Sequence, residues 1–103
     1  MKLGDFETAV YDYDKVLLID PKNVHALHNK GIALEKLSAF MQAIECFSKV
    51  IEIDPNNANA HFNRGCCYDA VSELDKAIKD YSRALELDQK NGEQNMSERI
   101  QNE

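Results

Sequence analysis

Asp20-Pro21-Lys22-Asn23 returns 34 residues later as Asp54-Pro55-Asn56-Asn57, and Asn29-Lys30-Gly31 returns at the same step as Asn63-Arg64-Gly65. The register extends outward from these two stretches. Ala9, Ala43 and Ala77 keep the step, as do Tyr13, Phe47 and Tyr81, then Lys15, Lys49 and Arg83, then Asp20, Asp54 and Asp88. So many positions in one register mark an array of one supersecondary unit, in which each copy buries its apolar face against the next.

Within each period the apolar spacing is that of a helix. Leu27, Gly31 and Leu34 fall on one stripe, widened by Ala26, Ala33 and Leu37. Ala43, Ile44, Phe47, Val50 and Ile51 form the stripe of a second helix. A residue before proline is pushed out of the α region, so helices end near Asp20 and Asp54. Ser38 and Ser72 sit at equivalent inter-helix turns, with Gly4 as their counterpart in the first copy. The pattern predicts helices at about 5–19, 24–37, 40–53, 58–71 and 74–88, and a weaker one within 93–101. Gly31 and Gly65, opposite Ala43 and Ala77, allow the paired helices to approach closely, and Phe47 and Tyr81 fill the space beside them. A mid-helix glycine costs roughly 1 kcal/mol against alanine, so its recurrence points to packing.

Composition narrows the function. The 103 residues suffice for one small domain, and 44% apolar with 29% charged residues is globular. A net charge of −6 opposes phosphate contacts, which sets nucleic acid and anionic membrane surfaces aside. Cys46, Cys66 and Cys67 lack Cys-x-x-Cys spacing and read as small buried or half-buried thiols in a reducing compartment. With no apolar run of membrane-spanning length and no signal-peptide pattern, the expectation is an intracellular, cytoplasmic protein. His25 and His28 are three apart and can share a helix face, yet no third metal ligand is written near them or His61, and groove histidines in water are expected. No phosphate loop, nucleophile motif or buried carboxylate pair is present, and Asp69 and Glu73 read as surface. No enzyme activity, cofactor or metal is therefore expected.

The period, the small residues, the aromatics and the Asp-Pro junction in one register resemble the tetratricopeptide repeat family over about 4–91. The match divides into a half repeat at 4–23 and complete repeats at 24–57 and 58–91, with 92–103 as a capping helix or disordered tail. Leu27 and His61 stand where the family usually has a large aromatic. Lys30 and Arg64 stand where it prefers leucine, and Gln89 replaces its junction proline, so the last helix is expected to run on toward Asn91-Gly92. The resemblance implies an all-α, right-handed superhelix of antiparallel helix pairs whose first helices line a concave face.

That face would carry His25, His28, Asn29, Ile32, Glu35 and Lys36, then Asn59, Phe62, Asn63, Cys66, Asp69 and Ala70. Asn29 and Asn63 would stack as a ladder of amides able to pair with both N–H and C=O of an extended peptide. Each could equally bond its own scaffold. The resemblance also raises a carboxylate clamp for acidic chaperone tails. In one register His28 and Ile32 replace the Lys and Asn it needs, and Glu93 and Ser97 its final cations. In the other, Asn59 and Asn63 stand where Lys and Arg are required, so the clamp does not fit.

The array opens with a second helix that lacks a first helix of its own, as in an excerpt of a longer array or in a helix that pairs with another copy. Phe6, Ala9, Tyr13 and Val16 would pack on such a helix, and their exposure would make an apolar interface. The leading expectation is a protein-interaction scaffold holding an extended peptide. The alternative is self-association or array assembly through the terminal helices.

Overall fold

A computed structural model describes residues 3–91, and the expected segment 93–101 lies outside them. Five helices follow one another: α1 Leu3–Ile19, α2 Val24–Lys36, α3 Phe40–Ile53, α4 Ala58–Ala70 and α5 Leu74–Asn91. Among the described residues there is no strand. The boundaries match the sequence reading to within a residue or two, except that α5 runs on to Asn91, in the direction that Gln89 implied.

Local chemistry writes each boundary. Asn23 and Asn57 cap α2 and α4, their side-chain oxygens accepting the backbone N–H of Ala26 and Ala60, each at 3.0 Å. The repeated Asp-Pro-x-Asn stretch thus ends one helix and starts the next. At the other end of α2, Ser38 takes a positive φ of 61° and Ser72 one of 64° after α4. Ser38 N–H donates to Glu35 O and Ala39 N–H to Leu34 O, and the same pair recurs from Ser72 and Glu73 to Asp69 and Tyr68. This is the paired bonding of a Schellman stop, with serine in the left-handed place that usually favours glycine.

Each helix packs on its neighbours in the chain, and α2 also touches α4, whereas α1 and α3, or α3 and α5, make no such contact. The stack therefore bends with α2 and α4 on its inner side. One core cluster joins Leu34, Ala43, Ile44, Cys46, Phe47 and Cys67, and a second joins Leu27, Val50 and Ala60. Gly31 earns its place here: a Cβ added to it would lie 2.8 Å from the Phe47 ring. At Gly65 the corresponding contact is the Tyr81 ring at 3.0 Å.

Candidate peptide-binding face

The inner side is built from α2 and α4. His25, Asn29 and Asn59 are exposed there, while His28, Ile32, Asn63 and Cys66 are half-buried. Phe62 stays 39% exposed although its ring rests tilted on Tyr81, with centroids 5.5 Å apart. The two asparagines are not equivalent. Asn63 Nδ2 donates to His28 Nε2 at 3.2 Å, which ties α4 to α2 and fixes the His28 proton on Nδ1. Asn29 has no such partner among the described residues. It borders a cleft of about 170 Å³ with Ile32 and Ala33 on one wall and Phe6, Ala9 and Tyr13 on the other.

His28 also meets the Phe47 ring edge-on at 5.4 Å. Burial, and secondarily the nearby His25, hold its pKa below the ordinary imidazole value of 6.5. A depressed histidine stabilises the fold fully above its unfolded pKa, and that contribution is lost as pH falls through the folded value. We expect the thermal midpoint to drop on acidification below the usual imidazole range. His28→Leu should remove this component, seen by comparing melting curves of both proteins across that range.

The third histidine departs from the expectation of a solvated group. His61 is 7% exposed, because it occupies the core position that Leu27 fills one repeat earlier. Its Nε2–H donates to the carbonyl of Pro55 at 3.0 Å, and Nδ1 lies 3.7 Å from Asp80 Oδ1. Asp80, only 4% exposed, is held by Arg64 through two hydrogen bonds of 2.8 Å. Arg64 also donates to Ser48 on α3 at 3.1 Å. Lys30, one period upstream, reaches Asp14 on α1 at 2.7 Å. The two residues that replace the expected leucines are thus cross-links, each reaching the helix that precedes its own. A signal was present in the sequence: Asp14 to Lys30, Ser48 to Arg64 and Arg64 to Asp80 are all 16 residues apart.

Residues of α4 and α5 line a larger cleft of about 730 Å³, among them Arg64, Tyr68, Lys76, Lys79 and Arg83. Lys76 and Arg64 sit 5.6 and 5.8 Å from the centre of the Tyr68 ring. The thiols are passive. Burial raises the pKa of Cys46 and Cys66 and pushes Cys67 up to about 12, so little thiolate forms near neutral pH. Among the described residues no group of three His, Cys, Asp or Glu could hold a metal ion, and no helix is long and apolar enough to cross a membrane.

Of the terminal residues, Phe6, Ala9 and Tyr13 are half-buried and Val16 is 40% exposed. Larger exposures on α1 are those of Leu18 at 85% and Ile19 at 88%. Leu18 falls where the next copy has Glu52, so the repeat pattern itself did not point to it.

Stacked antiparallel helix pairs with a fixed step define a helical-repeat protein, built to present a continuous face. The tetratricopeptide repeat model matches residues 24–57 and 58–91, and a second TPR repeat model matches 1–38. The chain belongs to the tetratricopeptide repeat family. Curated proteins gave no match. Among solved structures, MamA from Desulfovibrio magneticus RS-1 superposes with a TM-score of 0.78 at 34% identity, covering 84% of this chain and 49% of that one. A crystal structure of MamA gives 0.82 at 23% identity, covering 85% and 52%. The second TPR of Spaghetti (RPAP3), bound to the HSP90 peptide SRMEEVD, gives 0.78 at 24%, covering 82% and 78%, a likeness of fold. The chain spans about half the length of each MamA chain. Repeat arrays of this family serve as protein-interaction scaffolds, and that is the class of this chain.

Proposed function

We propose that the inner face of α2 and α4 holds an extended segment of a partner polypeptide, and that the chain works by holding rather than by converting. The observation that carries this reading is Phe62, an aromatic ring left 39% exposed beside Asn63 on the bend's inner side. Exposed rings next to amides suit a peptide whose backbone needs paired donors and acceptors. Asn29 offers both its amide atoms; Asn63 keeps its oxygen for a guest while its nitrogen serves His28. An acidic tail of the kind bound by the Spaghetti repeat would meet His28 and Ile32 in one register, or Asn59 and Asn63 in the other, in place of the required groups, so a neutral or basic segment fits better.

A peptide selected from an unstructured random library on the wild-type chain supplies the test. Replacing Asn29 and Asn63 together by alanine is expected to weaken it by about 1.5–4.5 kcal/mol, at about 0.5–1.5 for each of three hydrogen bonds. Asn29→Ala should cost the larger share. Equal affinity for wild type and double variant, measured by calorimetry, would overturn the reading.

A further inference from the structure

We infer that the cleft lined by α4 and α5 is a binding site for a phosphorylated serine or threonine in a flexible segment of a partner polypeptide. Lys76 and Lys79 take the phosphate, and Tyr68 and Arg83 bound the space for the residues that flank it. The cleft encloses about 730 Å³, and its lining comes from one complete repeat. A cleft of that volume falls in the range that takes a drug-sized ligand, roughly 300–1,000 Å³, well beyond a bare phosphate. Helical periodicity puts His61, Arg64 and Tyr68 on the side of α4 opposite Asn59, Phe62, Asn63 and Cys66, so a guest here leaves the amides of the inner face free.

Charge selects the ligand. Four cations line the cleft, Arg64, Lys76, Lys79 and Arg83, against two carboxylates, Asp80 and Glu86. Arg64 is engaged by Asp80 at 2.8 Å and Arg83 by Glu86 at 3.3 Å. Lys76 and Lys79 are exposed and have no carboxylate partner among the described residues. Asp75, adjacent to Lys76 in the chain, does not line the cleft. Two positive charges are thus left over, which suits one phosphate monoester of charge about −2 at neutral pH. The repeat itself does not ask for this arrangement. One period earlier the positions of Tyr68, Lys76 and Lys79 hold Leu34, Gln42 and Glu45. His61, where the earlier repeat has Leu27, also lines the cleft; it is 7% exposed, and its buried Nδ1 has no hydrogen-bond partner. The floor is polar where the previous repeat has an apolar one. A net charge of −6 opposes docking of the whole chain on an extended anionic surface, whereas one phosphate on a flexible segment meets chiefly the local excess, since salt screens charges beyond about 8 Å.

The probe is a heptapeptide of alanine and glycine with one central phosphoserine, added to the full chain and followed by NMR beside its unphosphorylated form and inorganic phosphate. Saturating shifts are expected at Tyr68, Lys76 and Lys79 with the phosphopeptide, none with the unphosphorylated form, and weaker binding of inorganic phosphate. Lys76→Gln with Lys79→Glu installs the residues that the previous repeat carries, at exposed positions. The variant should keep its fold by circular dichroism, while its affinity for the phosphopeptide drops roughly tenfold or more, as lost hydrogen bonds to charged groups require. Binding by the wild type should weaken as salt rises. The variant should keep wild-type affinity for the peptide selected on the inner face, which separates the two sites. Four results overturn the proposal: no phosphate-dependent shift, equal phosphopeptide binding by variant and wild type, shifts centred on Asn29 and Phe62, or inorganic phosphate binding as tightly as the phosphopeptide. Co-sedimentation with phosphatidylcholine vesicles containing phosphatidylinositol phosphate, lost in the variant, would assign the cleft to a lipid headgroup and overturn it too.

Discussion

Phe47→Ala is expected to cost about 3–5 kcal/mol, the usual range for truncating a fully buried ring. Phe47 is 0% exposed and shares a cluster with Leu34, Ala43, Ile44, Cys46 and Cys67, which belong to α2, α3 and α4. Its loss would empty the space against which Gly31 was fitted and remove the edge-on contact of His28. Domains of this size hold about 5–15 kcal/mol in all, so the variant should lose roughly a fifth of its stability or more. Urea titration followed by circular dichroism measures it. A shift in midpoint worth less than about 1 kcal/mol would show that the three helices do not depend on this ring.

Arg64→Leu should be nearly as damaging, although it restores the residue the family prefers there. The substitution removes both hydrogen bonds to Asp80 and leaves it buried, with the His61 ring 3.7 Å away. Removing one partner of a buried ion pair costs about 3–5 kcal/mol, because the remaining charge keeps its desolvation penalty. Arg64→Leu combined with Asp80→Ala should recover most of that loss, since an apolar pair carries no such penalty and Cys46 already occupies the matching place in the previous repeat. A denaturation cycle over the four proteins decides. Equal stability of wild type and the single variant would mean that solvent reaches Asp80.

The period of 34 residues made the fold readable, because each copy repeats the glycine, the aromatic and the Asp-Pro junction where packing needs them. Helix limits followed from proline and from the serine turns. What remained hidden was which polar atoms meet across helices. Asn23 and Asn57 looked like junction residues and proved to be caps. His61 looked like groove and proved to be core, since a histidine in a leucine's place carries no mark of its burial. The amide pair was legible as a ladder by spacing alone. Its asymmetry was not, because the Asn63–His28 bond joins residues 35 apart through side-chain directions that a one-dimensional pattern does not encode.

The neighbour-by-neighbour stacking of the five helices sets how the chain finds its structure. Contacts join segments that are consecutive in the chain, or α2 with α4 one step further, so no distant ends must meet before the first favourable contacts form. Helical proteins dominated by such short-range closures fold in microseconds to milliseconds. Growth can begin at any helix pair and spread along the row. Loosening of one helix pair can then stay local, because each pair is held chiefly by its neighbours in the row.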